Sequence, residues 1–469
     1  MTRLIPGLLL ASTLLAGCAL EPAYHRPALP VPAQWPTGPA YGDSTQVAVA
    51  DWRDVFLDPK LQAVIGQALA NSRDLRVAIA QIQASRAQYH VQRADLFPTI
   101  DAKAGVTTGR QYTGLPPILG GAYQNGTTYS TSVGTTAYEL DLFGRVGSLT
   151  KAALQTYLAT EEARRGAQIT LVAEVASDYL TYAADASLLQ VSMATVTSAR
   201  ANYELAQRRL TGGIASQLDV SNAETILDQA QDNVARYTTQ VAQDKNALDL
   251  VVGAPVAPEN LPTGVDDPAT RLGAAPDALD SSVLLLRPDV AEAEHTLRSA
   301  NADIGAARAA FFPSISLTGS GGTESASLSN LFSRGAGVWS FAPTITLPIF
   351  AGGANRANLD YAKAEDRIDV AQYEKAVQTA FREVADALAQ RGTIAERLRA
   401  QRAQVAAAAQ SLRLAEALYA RGSDSYLDVL TAQRTLYSAQ QSLIAVQLIE
   451  QTNTVTLYKV LGGALSDRK

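Results

Sequence analysis

The chain repeats itself. Phe97-Pro98-Thr99-Ile100 returns as Phe312-Pro313-Ser314-Ile315, and Asp74 and Arg93 have partners at the same spacing, Asp289 and Arg308. Leu205-Ala206, Gly213, Ser216 and Leu218-Asp219-Val220 return as Leu414-Ala415, Gly422, Ser425 and Leu427-Asp428-Val429. Gly253 finds its counterpart in Gly462. Two copies of roughly 200 residues, with the same features in the same order, imply an internally duplicated architecture and exclude most ordinary enzyme layouts.

The N-terminus reads as a targeting segment. Arg3 gives a basic start, and the mainly apolar run Leu4 to Ala16 is shorter than the roughly 20 residues a spanning helix needs. It ends in Leu15-Ala16-Gly17-Cys18, which resembles a bacterial lipobox, with Cys18 placed for lipid attachment. Cys18 is the single cysteine, so no internal disulfide is possible and packing must supply the stability. The net charge of −6, with no basic block, makes a poor nucleic-acid binder. No later segment is long and apolar enough for a transmembrane helix, so any crossing of a membrane must use strands.

Pro22, Pro27, Pro30, Pro32, Pro36 and Pro39 predict an extended arm, with folded structure starting near Trp52. Asp58-Pro59 marks a helix start, with Asp as the N-cap and Pro in the first turn. A helix follows from about Asn71 to Ala94. Strand-like segments at roughly 99–112 and 127–140 flank a loop from Gly114 to Gly126. From Val146 to Leu210 no proline intervenes, and a helix of that length would be roughly 97 Å long. It turns at Gly212-Gly213 and returns to Val252. In the second copy, opening and return helices of about 30 and 38 residues flank a long helix from Ala354 to Ala420, on the same rise per residue. The expected organisation is a signal segment at 1–17, a lipid-anchored arm at 18–50, a first repeat at 51–252, a linker at 253–280, a second repeat at 281–463 and a tail at 464–469.

The first long helix carries two adjacent apolar seams. Ile169, Val172, Ala176, Tyr179, Ala183 and Ala186 form one; Leu171, Val175, Tyr182, Leu189 and Val196 form the other. Two seams require two helix neighbours, as in a closed ring or layered bundle. The strands alternate. Trp339, Phe341, Ile345, Leu347 and Ile349 interleave with Ser340, Thr344 and Thr346, and Ile315 and Leu317 with Ser316, Thr318 and Ser320. At about 10 residues each they are long enough to cross a bilayer when tilted. Four strands cannot close a barrel, and open edges in lipid leave backbone groups unsatisfied, so the barrel must be shared between chains.

Arg287-Pro288-Asp289-Val290, Ala293-Glu294, Leu297, Ala300-Asn301-Ala302, Ile304-Gly305, Ala307-Arg308, Phe311-Phe312-Pro313 and the run from Gly422 through Ser425-Tyr426-Leu427-Asp428-Val429-Leu430 to Ala432-Gln433 resemble the outer membrane factor family, the TolC and OprM type of channel. The resemblance runs from about Trp52 to Gly463. It implies a mostly α fold with a membrane β-barrel: a homotrimer sharing one 12-stranded barrel, four strands per chain, above a long antiparallel helical α-barrel in the periplasm. It implies residence in the outer membrane of a Gram-negative bacterium. It also implies partnership with a periplasmic adaptor and a proton-driven inner-membrane transporter, and no catalytic activity. By the same resemblance Gly212, Gly213, Ser216, Gly422 and Ser425 lie in turns that meet the adaptor. Asp428, its counterpart Asp219, and Asp424 ring the periplasmic gate, and Tyr419 latches it.

Gly319-Ser320-Gly321-Gly322 lacks the Lys-Ser/Thr of a phosphate-binding loop and reads as a strand–loop junction. His25, His90 and His295 are too widely separated in sequence to suggest a metal site. No cofactor is expected beyond a covalent lipid on Cys18. Asp219 and Asp428 also fit a plain helix-capping role. The leading expectation is an efflux exit channel for drugs or other small toxic compounds. The alternatives are the duct of a type I protein secretion system and a periplasmic coiled-coil structural lipoprotein.

Overall fold

The computed structural model describes residues 20–41, 51–112, 123–265 and 280–463. Cys18, most of the loop expected at 114–126, much of the linker and the tail at 464–469 lie outside the described residues. The helices are α1 (Trp52–Val55), α2 (Pro59–Asn71), α3 (Arg73–Ala94), α4 (Arg145–Thr211), α5 (Gln217–Val252), α6 (Pro288–Ala309), α7 (Ala354–Ala420) and α8 (Tyr426–Val460). The strands are β1 (Asp101–Tyr112), β2 (Tyr123–Leu140), β3 (Ser314–Ser325) and β4 (Gly337–Thr346). The chain divides into two compact units. Among the described residues, one holds those up to Pro27, Ile82–Thr160 and Ala293–Tyr373; the other holds those in Ala28–Gln81, Glu161–Glu292 and from Glu374 on.

The first unit contains one antiparallel sheet in the order β1-β2-β3-β4. Its register separates two chemistries. Ile315 faces Ile345, Gly319 faces Phe341 and Gly321 faces Trp339, so the bulky apolar side chains share one face. Ser316 with Thr344 and Ser320 with Ser340 lie on the other, together with Asp101, Lys103, Glu139 and Glu324. Trp339 is 82% exposed and Ile345 68% exposed. Ser320 and Ser340 hydroxyls meet at 2.9 Å. An apolar face this bare is the surface expected of strands that stand in lipid. A bulge between Thr135 and Tyr138 places Ala137 at φ 54°, and its N–H is taken by Thr318 Oγ1 at 3.1 Å.

Three expectations are corrected here. Asn125-Gly126 belongs to β2, not to the preceding loop. Gly319 to Gly322 sits inside β3. The reason is close strand approach: a Cβ on Gly322 would fall 1.9 Å from the Thr131 carbonyl oxygen, and one on Gly134 would fall 2.2 Å from that of Gly319. Leu347 and Ile349 lie past the end of β4, where Pro348 ends the ladder.

The second unit is built on helix packing. Asp58 caps α2 by accepting from the Lys60 N–H at 2.9 Å, with Pro59 as first residue. Ser72 then breaks the helix, ending α2 and accepting from Leu75 N–H with its hydroxyl at the start of α3. Phe56, Leu61, Val64 and Ile65 pack with Val172, Val175, Ala176, Tyr179 and Leu180 of α4, Leu248 and Val252 of α5 and Tyr458 of α8. Both expected seams of α4 thus contribute to one core, and the Tyr179 hydroxyl reaches the capping carboxylate of Asp58 at 2.9 Å. Arg287 is buried. It binds Asp289 and Glu383 at 2.7 Å and the Val460 carbonyl at 2.6 Å, joining α6, α7 and the end of α8. Helix α6 spans 22 residues, shorter than expected, because Pro288 starts it after a 3-10 segment, Ser281–Leu286.

The arm also departs from expectation, since folded structure begins well before Trp52. In the first unit Arg26 and Arg298 clamp the buried Glu294 at 2.9 and 2.6 Å, and Lys151 holds Glu21 at 2.7 Å. In the second, Trp35 is buried and stacks on Phe381 with ring centroids 5.0 Å apart. A Cβ on Gly392 would meet the Ala40 carbonyl oxygen at 2.3 Å, so the chain runs directly against α7. Extended, proline-rich backbone is used here as packing surface. Trp35→Ala should therefore lower stability by about 3 kcal/mol, the usual cost of removing a buried aromatic. A thermal melt of the purified protein that matches the parent would refute this role.

Candidate functional site: the paired helix turns

The turn from α4 to α5 and the turn from α7 to α8 are hydrogen-bonded alike. Gly213 N–H binds the Leu210 carbonyl and Ile214 N–H that of Arg209, both at 2.9 Å. In the second copy Gly422 N–H binds the Tyr419 carbonyl at 2.9 Å and Ser423 N–H that of Leu418 at 3.0 Å. This is the two-bond helix stop that needs a left-handed residue. Gly213 and Gly422 supply it at φ 74° and 76°. Gly212 is not under the same demand. A Cβ there would make ordinary contacts at 3.5 Å.

The acids beyond the two turns have diverged. Ser216 and Asp219 form a reciprocal capping box: Asp219 Oδ2 accepts from the Ser216 N–H at 2.8 Å, and Ser216 Oγ accepts from the Asp219 N–H at 3.2 Å. In the second copy Asp424 takes the Ser425 N–H at 3.0 Å, while Asp428 is held by the Ser425 hydroxyl at 2.6 Å. That hydroxyl, and then the Asp424 side chain, hold the exposed Asp428 carboxyl below its ordinary range. Asp219 is occupied in its own cap. Asp428 keeps an anionic group facing solvent.

Beneath the turns lies an apolar plug. Ala199, Ala206, Val220, Ala223, Ile226 and Leu227 pack with Tyr419, Tyr426, Val429 and Leu430. The Tyr419 and Tyr426 rings lie 5.2 Å apart, and burial pushes the acidity of both phenols to higher pH. The Arg209 guanidinium sits 4.3 Å over the Tyr419 ring and donates to its carbonyl oxygen. This fastens the first copy's turn to the second's. The sequence reading named Tyr419 but missed Arg209 and Tyr426. The signal available was a basic residue beside the turn in one copy where the other has Leu418.

A cluster of acids on α4 and α5 was also missed. Burial, followed by the charges of Glu174 and Asp244, pushes Asp178 up to about 6. Burial, then the hydrogen bond and charge of Asp244, pushes Asp185 up to about 7, against an opposing effect of Arg236. Gln240 also donates to Asp244 at 3.0 Å. A carboxyl raised in the folded state holds its proton where the unfolded chain has released it. The stability it contributes is full below the ordinary value of 3.8 and is lost progressively as pH rises from there to about 6 to 7. Asp185→Asn should therefore raise the melting temperature more at pH 8 than at pH 5. Equal shifts at both pH values would show that the cluster does not titrate in this range.

A family model for outer membrane efflux proteins matches residues 64–254 and 279–463. The chain is 48% identical over 469 residues to a toluene efflux pump outer membrane protein, TtgC of Pseudomonas putida, covering 99% of this chain and 96% of that protein. It is similar to a solved membrane protein from Pseudomonas aeruginosa, with TM-score 0.89 and 42% identity over 96% of this chain and 99% of that one. It is also similar to the open-state MtrE outer membrane channel of Neisseria gonorrhoeae, with TM-score 0.84 and 37% identity over 96% of this chain and 99% of that one. With a two-faced sheet, paired helix turns and these likenesses across nearly its whole length, the chain belongs to the outer membrane efflux protein family.

Proposed function

We propose that the chain is the passive exit duct of a tripartite pump for drugs, solvents or other small toxic compounds. That it is an outer-membrane efflux channel follows from its family. The mechanism follows from the chain's own residues. The carrying observation is the sheet, whose apolar face is bare to its surroundings and whose other face is lined with Ser, Thr and charged side chains. Such a sheet separates lipid from a wet lumen once its edges are closed by further copies, and three copies give the 12-stranded barrel expected from the resemblance. Conduction then needs no bond made or broken. The work is done by an inner-membrane transporter, reached through a periplasmic adaptor that meets the turns at Gly212, Gly213, Ser216, Gly422 and Ser425. Lipid on Cys18 would add a second anchor to the barrel. Mass spectrometry of the mature N-terminus should find an acylated Cys18; an unmodified start elsewhere would remove the anchor from the mechanism.

At the turns, Asp428 is the residue proposed to ring the pore. Three copies of a solvent-facing carboxylate in one constriction repel one another and draw cations. Asp424 stands beside it, Asp219 is its counterpart on the first copy, and Tyr419 under Arg209 holds the turns together. In planar-bilayer recordings Asp428→Asn should weaken block by trivalent cations with the assembly intact. Unchanged block in that variant and in the Asp219→Asn/Asp428→Asn pair would take both acids out of the pore.

A further inference from the structure

The two copies join their long helices with different chemistry at the same position. Helices α4 and α7 match at Val175 and Val384, and α5 and α8 match at Leu248 and Leu457. On that match Asp244 of α5 stands where α8 has Asn453. Asp178 of α4 stands where α7 has Ala387, and Asp185 where α7 has Ile394.

In the second copy the joint is complete. Asn453 is buried, and its Nδ2 donates to the Ala387 carbonyl and to Gln390 Oε1, both at 2.9 Å. Ile394, at the position of Asp185, is buried and apolar. An amide joint of this kind carries no titrating group.

In the first copy the joint needs a proton. Asp244 is 9% exposed. Its Oδ1 accepts from Gln240 at 3.0 Å, while its Oδ2 is buried and receives no amide, hydroxyl or cationic donor. What hydrogen-bonds to Asp244 from α4 is the carboxyl of Asp185. Two ionised carboxylates have no hydrogen to share, and at contact they repel. A single proton turns that repulsion into a charge-assisted O–H···O bond. Burial, then that bond and the Asp244 charge, carry Asp185 up to about 7, with Arg236 of α5 opposing. The other charges acting here, Glu174 and Asp178 of α4, are acidic. Lys245, next to Asp244, is taken by Asp249 at 2.6 Å. Val265, and Ile444 and Leu448 of α8, which pack around the adjoining Ala184, are uncharged. Among the described residues no cluster of ligands is placed to hold a metal ion.

We propose that the contact of Asp185 with Asp244 is a proton-operated joint: a proton held between the carboxyls closes α4 on α5, and its loss loosens them. The hairpin concerned carries the turn at Gly213 and the Asp219 cap. Rising pH therefore softens one arm of the duplicated structure and leaves the other, closed by Asn453, unchanged. The joint lies within one chain and needs no second copy.

Backbone hydrogen exchange of the full-length protein in detergent tests this, read by mass spectrometry and corrected for the intrinsic effect of pH on exchange. Between pH 5.5 and pH 8, residues 236–250 of α5 should lose protection by on the order of tenfold, as linkage requires for a carboxyl that falls from about 7 to its ordinary value on opening. The matched residues 445–459 of α8 should show no such loss. Asp244→Asn, which gives the first copy the amide of the second, should hold 236–250 at its low-pH protection throughout. If the two segments of the parent respond alike, or the response survives Asp244→Asn, the joint is not operated by a proton. Where Asp244→Asn does not fold, Asp185→Asn serves instead: its amide donates to Asp244 at either pH and should remove the response equally. Calcium added at pH 8 should leave exchange unchanged; restored protection would make the pair a metal site and overturn the proposal.

Discussion

A strand in lipid has no water to satisfy its backbone, so each N–H and C=O must find a partner in protein. The sheet of this chain meets that demand at β2 and β3 and leaves it open along β1 and β4. The rest of the architecture depends on this constraint. It makes a single chain incomplete in the membrane. It gives the duplication a physical purpose, because a repeated unit can satisfy its edges with another copy of the same surface. Trp339, Phe341 and Ile345 are bare for a separate reason: they lie on the apolar face of the sheet, the face that strands in lipid turn outward.

The helical part answers a different demand. Long helices with two apolar seams hold together only if each turn is fixed and each end is capped. The two turns achieve this with matched hydrogen bonds at Gly213 and Gly422. The buried Arg287 gathers three elements at the other end of the same unit through Asp289, Glu383 and the Val460 carbonyl. Removing one partner of such a buried ion group costs far more than the pair contributes in isolation, because the remaining charge is left without compensation.

Much of this was legible in the sequence, for identifiable reasons. The proline-free run to Leu210 and the glycines after it gave α4 nearly to the residue, since helix continuity and its stops are local properties. Asp58-Pro59 gave the start of α2 for the same reason. The arm was misread because Trp35 is buried by a residue far along the chain, Phe381, and composition alone cannot show such a contact. The glycines of β3 looked like a loop because their use lies across the sheet, in the approach of Thr131. At the turns, Asp219 and Asp428 were legible from repetition, and Tyr419, which stands where the first copy has Leu210, only from the resemblance. Arg209 was not, since it is a place where the copies differ.

That difference has a consequence for symmetry. A ring of six identical subunits must place every side chain six times. A chain written twice, if it assembles threefold as proposed, offers six similar sectors in two independent sets. Here one set spends its acid on holding a helix start, with Asp219 bound to Ser216. In the other set Asp424 takes up the Ser425 N–H, and Asp428, still held by the Ser425 hydroxyl, stands exposed to solvent. Fusion of the two copies therefore permits a division of labour between them: selection can tune the charge beside one turn without loosening the other.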